Sequence, residues 1–260
     1  TWLRTGALGR GMEKRRVANE PAFLLHRRPY TESSVLIDLF SRHHGRIVLI
    51  AKGARKLKSR WRGSLLPFQS LIAAWSGRGE VKTVTGIEGE GPSCVLRGKA
   101  LYCGYYMNEL VLRLLHRFDP HEDVFDNYAN ALARLSTEED QERVLRIFEK
   151  QLLRDLGYGM HLVRDADRGN PIDPGERYRY RPDAGPLPYS DTDHHGVSVH
   201  GATLLALEEE VEFDERTRRE SKRLIRSVLD YHLDGQTLRT RIVYGQMFSP
   251  ESGRNRLTGS

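Results

Sequence analysis

The hydrophobic period of this chain changes once, near residue 90, and that change limits the folds open to it. Between residues 20 and 88 the apolar residues come in short β-prone runs broken by turn residues. These are Phe23-Leu24-Leu25, Val35 to Phe40, Ile47 to Ile50, Leu71 to Trp75 and Val81 to Thr85. Five such strands suit a small closed barrel, because closure leaves no unpaired sheet edge. A five-stranded OB-fold is the first reading and an SH3-like barrel the second. From about residue 96 the spacing becomes helical, with Leu101, Tyr105, Leu110, Leu112 and Leu115 on one segment. The predicted class is α+β, with a barrel over residues 18–90 and a mainly α-helical domain over 91–250. Residues 1–17 are expected to be a disordered extension and 251–260 a tail.

Local signals punctuate the helical part. Asp119-Pro120-His121-Glu122 reads as a helix start, with Asp as N-cap, Pro at the first helical position and Glu two further on. Ser136-Thr137-Glu138-Glu139 reads as a second capping box, opening a helix that stops at Gly157. Residues 157–199 form a long irregular excursion rich in Gly, Pro and Asp, with a short hairpin at Tyr178-Arg179-Tyr180. Helices are predicted again over about 200–210 and 215–233.

Charge separates the two parts more sharply than sequence period does. Up to residue 90 there are 17 Lys/Arg against 7 Asp/Glu, and beyond it 24 against 28. One end of the chain is built to meet an anion. The strongest cationic stretch runs from Ser41 to Arg62 and holds Arg42, Arg46, Lys52, Arg55, Lys56, Lys58, Arg60 and Arg62 with no acidic residue. Cations that neutralise successive phosphates, with Trp61 as a face for a base, make a sequence-independent single-strand site. Arg46, Lys52, Arg55, Lys56, Lys58, Arg60, Trp61 and Arg62 are therefore the candidate nucleic-acid contacts. Trp61 as a core residue is the competing assignment.

Enzymatic chemistry finds little support. The chain has no Walker loop, no dinucleotide glycine fingerprint and no nucleophile elbow. Glu208-Glu209-Glu210 points in several directions on a helix, and Asp165 with Asp167 is a weak candidate pair for a nuclease metal. Cys94 and Cys103 are too few for a disulfide framework. No cofactor and no membrane span is expected.

Several short motifs, in order along the chain, resemble the RecO family. They are Gly45-Arg46, Lys52-Gly53-Ala54-Arg55, Leu66-Pro67-Phe68 and Gly77-Arg78-Gly79-Glu80-Val81-Lys82-Thr83 in the barrel. Tyr105-Tyr106-Met107-Asn108-Glu109-Leu110, Phe148-Glu149 with Leu152-Leu153, Leu156-Gly157-Tyr158-Gly159 and Leu238-Arg239-Thr240-Arg241 follow. The resemblance implies a cytoplasmic, nucleoid-associated DNA repair and recombination protein, monomeric on its own. Such a protein binds and anneals single-stranded DNA, and joins RecR to displace the single-strand binding protein SSB and load RecA. An adaptor without DNA contact and a metal-dependent nuclease are the alternatives. Many members carry a four-cysteine zinc site in the excursion; this chain has no cysteine there, so no metal is expected. His161, His194, His195 and His200 are the remaining ligand candidates.

The resemblance also gives meaning to a basic stripe. Arg143, Arg146, Lys150 and Arg154 recur at helical spacing beside Leu145 and Phe148. A basic rim beside an apolar floor suits the acidic, apolar-ended C-terminal tail of SSB. Pairing with Glu139 and Glu142 one turn earlier is the plainer explanation. Arg219, Lys222, Arg223 and Arg226 form a second basic face, readable as DNA track or solvated surface.

Overall fold

The computed structural model describes residues 16–61, 63–91 and 94–248. Apart from Arg16 and Val17, the predicted extension and the tail lie outside them. β1 (Arg16–Pro29), β2 (Val35–Ser41), β3 (Gly45–Ala51), β4 (Ser70–Ser76) and β5 (Val81–Gly89) close into a barrel of order β1-β2-β3-β5-β4. β3 and β5 pair in parallel, and the other neighbours are antiparallel. This is the OB-fold predicted from the sequence. β1 starts two residues before the expected barrel boundary, extends well beyond the predicted run Phe23-Leu24-Leu25, and pairs with both β2 and β4, shifting register at Val17/Glu20 and Leu24/His26. Such bulges bend one long strand around a barrel.

The run Ala22-Phe23-Leu24-Leu25 is buried on both faces, which explains why its apolar residues are consecutive. Ala22 and Leu24 fill the barrel with Ile37, Leu39, Leu49 and Trp75. Phe23 and Leu25 point outward, with Phe40, into the helical core. Phe23 meets Phe125 and Tyr128 with ring centres 5.1 Å apart in each pair. At the same seam Asn108 donates to the Leu25 carbonyl at 2.9 Å and accepts the Tyr128 hydroxyl. Gly45 opens β3 at φ +66°, where a Cβ would lie 2.1 Å from the Asp119 carbonyl oxygen. Glycine is required there for the two domains to touch.

The helical domain comprises α1 (Gly98–Leu114), α2 (Glu122–Thr137), α3 (Gln141–Asp155), α4 (Gly201–Glu209), α5 (Glu215–His232) and α6 (Arg239–Phe248). Both predicted capping boxes are corrected. α2 begins at Glu122 behind an uncapped His121, because the preceding stretch is pinned to the barrel by Phe118 N–H on the Arg46 carbonyl at 3.0 Å. Ser136 and Thr137 end α2, bonding back to the Ala133 carbonyl, and Asp140 caps α3 by accepting from Arg143 N–H at 3.1 Å. α3 ends as predicted, with Gly157 at φ +83°. The predicted hairpin is instead a three-stranded sheet: β6 (Arg177–Arg181), β7 (Gly185–Pro188) and β8 (Val197–His200), in the order β7-β6-β8. Among the described residues no helix is long and apolar enough to cross a membrane.

Three glutamates fasten these elements. Glu20 accepts the Ser41 hydroxyl at 2.5 Å and His43 N–H at 2.8 Å. Burial pushes its pKa up, but these bonds and the facing histidines outweigh burial and hold it below the ordinary value. Glu109 and Glu220 are lowered in the same way by bonds from Arg239–Thr240 and from His200–Thr203. A carboxyl depressed by folding stabilises the native state above its unfolded pKa and loses that contribution as pH falls through the folded value. The urea midpoint is therefore expected to hold from neutrality down to the ordinary glutamate pKa of 4.5 and decline below it. A midpoint still flat at about pH 3 would show that these bonds contribute nothing net.

Candidate nucleic-acid interface and a cation-rimmed groove

The loop from β3 to β4 carries the candidate strand-binding cations. Gly53, at φ +73°, turns the chain out of β3. Lys52, Arg55, Lys56, Lys58 and Arg60 are all exposed, and among the described residues none has a carboxylate partner. Arg55 ties the loop to the β1–β2 turn, donating to the Thr31 carbonyl at 2.7 Å while its own N–H reaches the Ser33 carbonyl. Among the described residues, no acid answers this row of cations.

Two of the predicted contacts are corrected. Trp61 is only 4 % exposed; its Nε1 donates to the Lys52 carbonyl at 3.0 Å and its ring packs in the barrel core. The Arg60 guanidinium lies 4.0 Å from the ring centre, so Trp61 anchors the loop and gives no face to a base. Arg46 donates to the Leu112 carbonyl and, at 3.2 Å, to that of Leu115, meeting the C-terminal end of α1. It joins the domains instead of facing solvent. Arg62 lies outside the described residues.

The α3 stripe is also largely structural. Arg143 donates to the carbonyls of Glu210 and Val211, and Lys150 to those of Leu207 and Glu208 at 2.8 and 3.0 Å. Both cations cap the C-terminal end of α4. Phe148 is 1 % exposed in the core, and Arg154 is exposed beside Asp155. None of these four forms a peptide groove. Arg146 differs. It lines a cavity of about 220 Å³ between α1, α3, α5 and α6, with Tyr102, Tyr106 and Leu145 as apolar floor. Lys222, Arg226 and Arg241 complete the rim. Lys222 and Arg226 thus belong to this groove, together with Arg241 of the Leu-Arg-Thr-Arg motif, to which spacing alone assigns no site.

Beneath the groove a fully buried Glu149 accepts the Tyr106 hydroxyl at 2.6 Å and pairs with Arg146 at 2.8 Å. Burial pushes the Glu149 carboxyl up, against the opposing pull of Arg146 and the hydroxyl. Arg241 donates to the Tyr106 oxygen at 3.2 Å. The Cys103 thiol in the wall is pushed up to about 11 by burial and stays protonated. α6 is secured by Glu109, which accepts the N–H groups of Arg239 and Thr240, both at 2.9 Å.

Among the described residues no metal centre emerges beside these two sites. Asp165, half of the weak nuclease pair, spends both oxygens on backbone N–H groups of residues 167 to 170. His200 is engaged by Glu220 at 2.7 Å. Among the described residues there is no cluster of three His, Cys, Asp or Glu able to hold a metal. Exhaustive chelation is expected to leave the thermal midpoint unmoved; a drop of several degrees with release of zinc would point back to the excursion histidines.

The molecule defined by these features is a two-domain protein built on an OB-fold barrel, with a row of cations lacking carboxylate partners among the described residues on one barrel loop and a helical groove whose rim cations lean on carboxylates. Comparison with known proteins identifies the particular kind. The RecO N-terminal family (Recombination protein O N terminal) matches residues 12–92, and the RecO C-terminal family (Recombination protein O C terminal) matches residues 96–242. DNA repair protein RecO of Methylococcus capsulatus is 44 % identical over 229 residues, covering 88 % of this chain and 93 % of its own. That of Dechloromonas aromatica is 43 % identical over 235 residues, covering 89 % and 97 %. That of Coxiella burnetii is 44 % identical over 227 residues, covering 87 % and 97 %. The chain belongs to the RecO family of DNA repair proteins, which are accessory factors in recombination and not catalysts.

Proposed function

We propose that this chain is a cytoplasmic, nucleoid-associated recombination mediator that binds and anneals single-stranded DNA. It works with RecR and the SSB tail to promote RecA loading. The observation that carries the reading is the β3–β4 loop, where five exposed cations have no carboxylate partner among the described residues, on a loop fastened by Arg55 to the Thr31 carbonyl and by Trp61 to that of Lys52. In this reading Lys52, Arg55, Lys56, Lys58 and Arg60 meet phosphates. The tail enters the groove that Arg146 lines, where Lys222 and Arg226 offer exposed cations, because Arg143 and Lys150 are committed to carbonyls. The groove's apolar floor suits the tail's apolar end, and its rim suits the acidic residues before it.

The test is the salt dependence of strand binding. Changing Arg55, Lys56, Lys58 and Arg60 together to Ala is expected to weaken oligothymidylate binding. The log–log slope against salt should fall by about 0.7 per lost phosphate contact, roughly 3 in all. All four side chains are exposed, so the fold should tolerate the change. An unchanged slope would remove DNA from the barrel loop and favour an adaptor that meets only proteins.

A further inference from the structure

The sheet of the excursion has two unlike faces. Along β6 the sequence alternates Arg and Tyr, and successive side chains in a strand point to opposite sides. Tyr178 and Tyr180 are buried in the helical core with Val199. Their hydroxyls accept from Asp173 N–H at 2.9 Å and His161 N–H at 3.2 Å. Arg177, Arg179 and Arg181 share the outer face. The guanidinium carbons of Arg177 and Arg179 lie 4.3 and 5.0 Å from the ring centre of Tyr189, just beyond β7. Arg177 also donates to Ser198 Oγ on β8 at 2.7 Å. Arg181 is paired with Asp193 at 2.9 Å, but no carboxylate pairs with Arg177 or Arg179 among the described residues.

We infer that this outer face is a second single-strand nucleic-acid surface, with Arg177 and Arg179 on phosphates and the arginine–tyrosine platform under a base. The inference rests on the reading of the barrel loop as the first strand's site. The Cα atoms of residues two apart on one strand are about 6.6 Å apart, so two arginines rise from this face at separate points and can meet successive phosphates. Guanidinium planes steadied by an aromatic ring present flat, positively charged surfaces on which bases stack without regard to sequence. The partner is a polyanion with planar groups, because the face sets two arginines without carboxylate partners among the described residues beside a flat aromatic ring. With one strand on the barrel and another on the sheet, a single chain holds both partners of an annealing reaction.

The test counts strands. Full-length protein is titrated with a short labelled oligothymidylate, too short to span both faces, and the number bound per chain is measured. The wild type is expected to bind two, and R177Q/R179Q one, with first-site affinity unchanged. The weaker site should carry a salt slope of about 1.4, from two phosphate contacts. Crosslinking the wild type to a photoreactive oligonucleotide should label the peptide containing Tyr189, a measurement that needs no variant to fold. One strand per wild-type chain, or crosslinks confined to the barrel, overturns the inference and leaves the barrel reading intact. No strand at all overturns the barrel reading and this one with it. A double variant that still binds two strands, or that loses affinity for an acidic peptide instead, also overturns it, the latter by assigning the face to protein.

Discussion

Replacing Glu149 with Ala is expected to destabilise the protein by about 3–5 kcal/mol, the range for breaking a buried ion pair from one side. Glu149 is fully buried, and its carboxylate faces Arg146, itself only 8 % exposed, at 2.8 Å. Removing it leaves a guanidinium in a nearly dry site and takes the acceptor from the Tyr106 hydroxyl. For a chain of this size the thermal midpoint should fall by on the order of 10 °C. The urea midpoint of E149A, with an unchanged slope, gives the measurement. Pairing the change with Arg146→Met should restore most of the loss, since an apolar replacement of both partners avoids the unpaired charge. If E149A alone costs under about 1 kcal/mol, water reaches Arg146 and the network is not buried in solution. The same geometry rules out Arg146→Glu as a probe of binding. It would set two carboxylates face to face in the core and report on folding alone.

The barrel was legible because its strands follow the simplest rule available, short apolar runs between turn residues. Gly45 and Gly53 mark places where only glycine fits or turns freely. The sheet of the excursion was hidden because its strands have only four or five residues, and the tyrosines of β6 carry much of its inner face. α6 was hidden because Arg239 to Phe248 mixes polar and apolar residues without a clear stripe. The site was harder than the fold, for a definite reason. Helical spacing places Arg143, Arg146 and Lys150 on one face of α3, but spacing cannot say what faces them. α3 packs against α1, α2, α4 and α5, so nearly every side of it is inside. Cations on such a helix survive by capping a neighbour or pairing with a buried acid, and these do both. Trp61 shows the same limit, since an aromatic in a basic loop can close the loop as well as offer its face. What the charge pattern did locate was the row from Lys52 to Arg60, whose cations stay exposed because no acid was placed to meet them.

Reversing two groove cations, Lys222→Glu with Arg226→Glu, is expected to weaken binding of a fluorescent SSB tail peptide by on the order of 2 kcal/mol or more, about 30-fold in Kd. Like charge would then line the rim on which the acidic part of the peptide must lie. Lys222 and Arg226 have side chains 52 % and 64 % exposed, so unlike Arg146 they can be reversed without burying a charge. Each now leans on an acid, Lys222 on Glu142 at 3.4 Å and Arg226 on Asp230 at 3.7 Å. The peptide therefore competes with Glu142 for Lys222, and this gives a second variant with the opposite sign. Glu142→Gln should free Lys222 and remove a repulsive carboxylate from the groove wall, so peptide affinity should rise. Damage to the fold cannot produce that gain. Strand binding by the barrel loop should be unchanged in both variants, because the two sites share no residue. Unaltered peptide affinity in the double reversal, with Glu142→Gln equally silent, would remove the tail from this groove.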